Sequence, residues 1–249
     1  MDKDHFSSVH QEYKLYRPEY SFAMLQELSF FCKTKQLALD VGCGSGQATL
    51  GLSKIFTKVY GIDFSKDQIA DAPQRENILY QVGKAEELRS EENSVDLVLA
   101  AQSFHWFDKE KFFQSVRRVL KPEGVLCLLG YGKSFVNREV HQIYRKFYVD
   151  IVGPYWPKER KMVESGYDSI VLPEYFQTIA FDKKFEIQLY WTVKQFLGYL
   201  SSFSATKRYI EQEQKNPIEL IKKEAEEVWG EGKRTISWPI FYNLSKKIS

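Results

Sequence analysis

The sequence predicts an α/β fold built on a doubly wound parallel sheet, and three observations carry that expectation. Through the first two-thirds of the chain, short apolar runs alternate with segments of helical periodicity. Several runs are continuously apolar, VDLVLAA and GVLCLL among them, as strands covered on both faces must be. The run LALDV ends in an aspartate and passes straight into GCGSG, with Gly42, Gly44 and Gly46 at alternate positions ahead of a helical segment. Glycine loses the most backbone freedom on folding, so three together mark a chain that bends sharply or is approached closely.

The elements follow in order. SFAMLQELSFF places Phe22, Leu25, Leu28 and Phe31 at helical spacing, so an amphipathic helix precedes the glycines. LALDV is the first strand, and ATLGLSKIF, Ala48 to Phe56, opens a helix directly after the turn. KVYGIDF is the next strand, and SKDQIADAPQ is a helix with Ser65 as N-cap, its hydroxyl placed to accept from a first-turn amide. ILYQVG and VDLVLAA are strands. FFQSVRRVLKPEG reads as a helix ended by Pro122 and Gly124, and VLCLLGY as a further buried strand.

Beyond Gly132 the pattern changes. REVHQIYRKFYVDIVG is a helix, and GPYWPKER is a loop set by Pro154 and Pro157. FQTIAFDKKFEIQLYW is either one long strand or a hairpin turning at Asp182-Lys183. Helices are expected at TVKQFLGYLSSFS and NPIELIKKEAEEVW, and RTISWPIFYNLSKK closes the chain as a strand. With no Gly/Ser linker, repeat or low-complexity tract, residues 1–249 are expected to be one domain. Its core would be about 35–132 plus the C-terminal strands, with 1–31 and helices within 138–230 as a cap.

Composition excludes some functions. The chain is 43% hydrophobic and 27% charged, which suits a globular protein with a sizeable core. A net charge of +2 gives no electrostatic case for nucleic acid or a membrane surface, and no apolar run is long enough to cross a bilayer. Cys32, Cys43 and Cys127 are odd in number and lack metal-ligand spacing, so free thiols in a reducing compartment and no metal are expected. MDKDHFSSVHQEYK lacks the basic-then-apolar order of a signal peptide. The expectation is a soluble cytoplasmic protein, a monomer or weak homodimer.

A strand, a glycine turn and a helix N-terminus make a nucleotide-type site at the carboxyl end of a sheet. The dinucleotide fingerprint requires G-x-G-x-x-G, but here the third fingerprint position is Gln47, and no Gly-Lys-Ser/Thr follows. Asp63 ends the next strand, about 20 residues on, where an acid accepts hydrogen bonds from ribose hydroxyls. The ligand is therefore a nucleoside without a pyrophosphate.

LDVGCGSG with Asp40, GIDFS, GKAEEL, NSVDLVLAAQSFHWFD and RRVLKPEGVL together resemble the class I S-adenosylmethionine-dependent methyltransferases, type 11 group. YRPEY and AAQSFHWF are similar to the trans-aconitate methyltransferase-like branch, and the resemblance runs from about Tyr13 to Gly132. It implies a Rossmann-like sheet of seven strands, mostly parallel with one antiparallel strand near an edge, and extra helices forming a lid at the carboxyl ends. It also implies S-adenosylmethionine as cofactor. Gly42, Gly44 and Gly46 would let the backbone pass close to the ribose and methionyl part, and Asp40 would hold the methionyl ammonium, directly or through water. Asp63 would bind the ribose and Phe64 pack on the adenine. Ala85 and Glu86 would lie at the adenine edge, although Lys84 stands where many relatives carry Asp. Gln102 would lie beside the methionyl group.

Methyl transfer from a sulfonium needs alignment and exclusion of water, and it needs a base only when the acceptor must lose a proton. His105 follows the fourth strand, placed to be that base or to bond the backbone and shape the pocket. Trp106, Phe107, Tyr16 and Tyr131 are candidates for the pocket wall. Arg17 can grip a carboxylate with both arms of its fork, that of the cofactor or that of an acid substrate. Tyr155, Trp156, Trp191, Phe196, Tyr199, Phe203 and Trp238 read mostly as core, with a lid lining as the alternative. The leading expectation is methylation of a small molecule, first a carboxylate. A non-catalytic S-adenosylmethionine-binding regulator stays open, as does a nucleic-acid or protein methyltransferase. Against nucleic acid, AQSFHW stands where an Asn/Asp-Pro-Pro-aromatic motif would be.

Overall fold

Five parallel strands form the centre of the sheet, each where an apolar run stands in the sequence. They are β1 (Leu37–Val41), β2 (Lys58–Asp63), β3 (Ile78–Val82), β4 (Val95–Ala101) and β5 (Leu120–Tyr131). The computed structural model describes residues 16–248, so Tyr13 lies outside them. β6 (Phe176–Thr178), β7 (Glu186–Trp191) and β8 (Arg234–Lys247) complete an eight-stranded sheet among the described residues. The order is β3-β2-β1-β4-β5-β8-β6, with β7 pairing β8 off this path. β8 runs antiparallel to β5 and to β6, and is the antiparallel strand expected near an edge.

The described chain divides into two compact units. The larger takes in 19–132, 161–185 and 239–248. Its strands alternate between two buried clusters with the period-2 geometry of a pleated sheet. Leu39, Val41, Val98, Ala100, Leu126 and Leu128 face one cluster, while Ala38, Leu97, Leu99, Val125, Cys127 and Leu129 face the other.

Helix α4 (Lys109–Val119) covers the first face. Asp108 caps it by accepting from the Lys111 amide, and Glu110 and Arg117–Arg118 stand at the ends that suit the helix dipole. Phe112, Phe113, Val116 and Val119 are its buried stripe, each such side chain contributing about 1.5–3 kcal/mol. The other face takes α1 (Phe22–Ser29), capped by Ser21, and α2 (Gln47–Leu52), through Met24, Leu25, Leu28, Ala48 and Leu52. Helix α3 (Lys66–Ala70) begins at Ser65, whose hydroxyl accepts from the Gln68 amide as expected.

Three expectations are corrected. The sheet has eight strands among the described residues rather than seven, because β7 pairs β8 off the main path. Helix α4 ends at Val119, short of Pro122 and Gly124, because Leu120 is already extended and pairs with Val95 on β4. FQTIAFDKKFEIQLYW is neither one strand nor a hairpin, since β6 and β7 are separate and each pairs with β8.

The smaller unit comprises 16–18, Lys133–Arg160 and Glu186–Trp238. Helices Arg138–Arg145, Val193–Ser201, Ser204–Glu213 and Lys222–Trp229 surround an aromatic core. Trp238 lies 5.0 Å from Trp191 and 5.4 Å from Tyr199, and its indole N–H donates to the Tyr199 hydroxyl at 3.0 Å. Trp191, Phe196, Tyr199, Phe203 and Trp238 are buried there, so they are core residues.

Candidate cofactor and acceptor site

The larger unit gathers most of the expected site at the carboxyl ends of its parallel strands. After β1 the chain turns through Gly42, Gly44 and Gly46 with φ of 69°, 55° and 80°, the left-handed region that favours glycine. A Cβ on Gly42 or Gly46 would lie 2.4 Å from Ser103 Cβ or 2.3 Å from the Tyr80 hydroxyl, so protein packing alone demands those two. Gly44 differs. A Cβ there would meet nothing nearer than Gln68 Oε1 at 3.7 Å, leaving an open side along which a ligand can approach the backbone.

Two carboxylates flank the turn. Asp63 ends β2 and braces the loop, its Oδ2 accepting from the Gly44 amide and its Oδ1 from the Ser65 amide, both at 2.8 Å. Each oxygen keeps a lone pair for a hydroxyl. Asp40 is fully buried. The Thr49 hydroxyl donates to its Oδ2 at 2.6 Å, while Oδ1 has no hydrogen-bond partner. Burial pushes the Asp40 carboxyl up to about 6 against the Thr49 hydrogen bonds, and the nearby Asp63 charge adds to the rise. A buried carboxylate with one free oxygen is matched by a ligand cation.

Around the ends of β4 and β5, Gln102 holds φ 55° and donates from Nε2 to the Tyr131 carbonyl at 3.0 Å. Ser103 donates to the Val41 carbonyl at 2.7 Å and ties the exits of β4 and β1 together. His105 is buried, with Nδ1 3.3 Å from the Tyr167 hydroxyl, and Trp106 is half exposed beside it, the ring centroids 4.9 Å apart. Phe64 follows β2 and is 77% exposed, open to stack on a ligand. Ala85 is core, and Glu86 accepts from the Asp108 amide at 2.8 Å, capping α4. Tyr16 and Arg17 belong to the smaller unit. Tyr16 packs on Gly198, and Arg17 Nη2 donates to the Ser202 carbonyl at 3.0 Å.

Sequence reasoning missed Thr49, Ser103 and Tyr167 as parts of this site. Thr49 carried a signal, since it stands in the first turn of the helix that follows the glycines. Tyr167 carried none, because it comes from a stretch 62 residues beyond His105.

Residues 39–128 match the family described as Methyltransferase domain. A Saccharomyces cerevisiae protein named as an S-adenosylmethionine-dependent methyltransferase is 30% identical over 65% of this chain and 60% of its own. A Dictyostelium discoideum protein named as a methyltransferase is 32% identical over 98% of this chain and 95% of its own length. The chain belongs to the S-adenosylmethionine-dependent methyltransferases. A solved structure from Anaeromyxobacter dehalogenans, described as a type II methyltransferase, extends the likeness to the whole fold. It has a TM-score of 0.85 at 34% identity, covering 93% of this chain and 98% of that one. The site of this methyltransferase fits its cofactor, because the free Asp40 oxygen suits an ammonium and the open side of Gly44 lies beside Asp63. Among the described residues no His/Cys/Asp/Glu group could hold a metal, and no helix is long and apolar enough to cross a membrane.

Proposed function

We propose that this methyltransferase methylates an oxygen of a small organic acid, a carboxylate first. The observation that carries this reading is the environment of His105, whose buried ring sits against the Tyr167 hydroxyl. A ring held in that way shapes the pocket, and a carboxylate acceptor needs no base. The similarity of YRPEY and AAQSFHWF to the trans-aconitate methyltransferase-like branch supports the same acceptor class.

S-adenosylmethionine supplies a methyl group on a sulfonium whose thioether leaves readily, so alignment is the protein's main task. Asp40 Oδ1 accepts from the methionyl ammonium, and the remaining lone pairs of Asp63 accept from the ribose hydroxyls. Phe64 stacks on the adenine, with Ala85 and Glu86 at its edge. The Gln102 side chain, anchored on the Tyr131 carbonyl, borders the methionyl group. Tyr131 and Trp106 wall the acceptor side and exclude water.

Incubation with methyl-labelled S-adenosylmethionine and pooled small acids tests this reading. The expected label enters the small-molecule fraction and is released by alkali as volatile methanol, the signature of a methyl ester. Alkali-stable label, or label confined to macromolecules, would overturn the carboxylate assignment.

His105→Gln should lower kcat by less than about tenfold, because the amide replaces one ring hydrogen bond to Tyr167. A positioned base contributes about 10²–10⁴-fold. A loss in that range with cofactor affinity intact would make His105 the base and move the acceptor to a hydroxyl.

A further inference from the structure

Asp40 Oδ1 and Tyr20 Oη are both buried without a hydrogen-bond partner. An orphaned buried hydroxyl is costly, so its retention beside an orphaned carboxylate oxygen points to a ligand that completes both. Tyr20 stands just before α1, with its ring centroid 6.1 Å from that of Tyr131 at the end of β5. Burial, with Tyr131, Tyr167 and Asp40 around it, holds the Tyr20 hydroxyl well above its usual pKa, so it stays a neutral donor.

A ligand that satisfies both atoms brings a cation to Asp40 and an acceptor oxygen to Tyr20, and a carboxylate is the strongest such acceptor. The two charges must also sit close together on one molecule, which describes the zwitterionic end of an α-amino acid. We infer that the Tyr20 hydroxyl donates a hydrogen bond to the methionyl carboxylate of S-adenosylmethionine while Asp40 takes the ammonium. This role rests on the cofactor assignment. It makes Tyr20 a specificity residue, one that separates S-adenosylmethionine from its decarboxylated analogue.

Calorimetric affinities of wild type and Tyr20→Phe for those two ligands test the inference, with melting temperature as a control. The variant should bind S-adenosylmethionine about tenfold or more weakly, the loss of a hydrogen bond to a charged group. Its affinity for the decarboxylated analogue should stay within about twofold of wild type, since that ligand has no carboxylate to lose. The variant should melt no lower than wild type, because phenylalanine deletes the orphaned hydroxyl and keeps the ring. Unchanged affinity for S-adenosylmethionine would overturn the inference, and so would equal weakening of both ligands. A wild type that bound neither ligand would overturn the cofactor assignment itself, and this inference with it.

Discussion

Asp96→Ala is expected to destabilise the protein by roughly 1.5–3 kcal/mol, the cost of removing a buried charged acceptor from its hydrogen-bond donors. Asp96 stands near the start of β4 and is only 3% exposed. Its Oδ2 accepts from the Gln36 and Leu37 amides at 2.8 and 2.9 Å, and its Oδ1 accepts from Lys121 Nζ at 2.7 Å and from the Thr34 hydroxyl. One carboxylate therefore anchors the entry to β1 and neutralises a lysine on β5. Burial alone would raise its pKa, but the bonds from Lys121, Thr34, Leu37 and Gln36 together hold it below the usual value. The sign follows from that direction. Asp96 contributes stability above its unfolded pKa of about 3.9, and the contribution is lost as pH falls through the lower folded value. Urea denaturation at neutral pH and at pH 3 measures both effects. A loss below about 1 kcal/mol at neutral pH, typical of an exposed ion pair, would contradict the account.

Asp40→Asn should separate binding from stability. In the free protein the folded Asp40 pKa of about 6 lies above the unfolded value, so protonation favours the fold. That stabilisation is complete below the unfolded pKa and lost as pH rises through about 6. At neutral pH the ionised carboxyl costs the free fold on the order of 3 kcal/mol, from about 1.4 kcal/mol for each pKa unit. The asparagine should therefore leave the melting temperature unchanged or raise it. Cofactor affinity should fall by about a hundredfold or more, because a buried ammonium loses its counter-charge. Wild-type affinity should also weaken as pH is lowered through about 6, where Asp40 takes up its proton. An Asp40→Asn variant that bound the cofactor normally would remove Asp40 from the site.

The central sheet was legible because its signals are local. Each parallel strand is a short apolar run, and the glycines and Asp63 follow their strands at fixed offsets. Ser65 was readable as a cap for the same reason. The end of α4 was not, because Leu120 leaves the helix to pair with Val95, a contact made across the sheet. The places of β6 and β7 depend on β8, more than 40 residues later in the chain, and no local pattern carries that pairing. Helix Ser204–Glu213 escaped notice because Ala205 and Thr206 are its only buried residues. Within the site, the glycines looked alike in sequence. Only the neighbouring Ser103 and Tyr80 separate the two held by packing from Gly44, which leaves its side open. Asp96 and Tyr167 draw their roles from partners on other elements, which no local pattern shows.

Calorimetric titration of S-adenosylmethionine into wild type and Asp63→Ala at neutral pH tests the cofactor site most directly. The account predicts one molecule bound per chain, and an affinity lower by roughly 1.5–3 kcal/mol in the variant, as a charged acceptor is lost. No binding by the wild type, or equal affinity in an Asp63→Ala protein that remains folded, would contradict it.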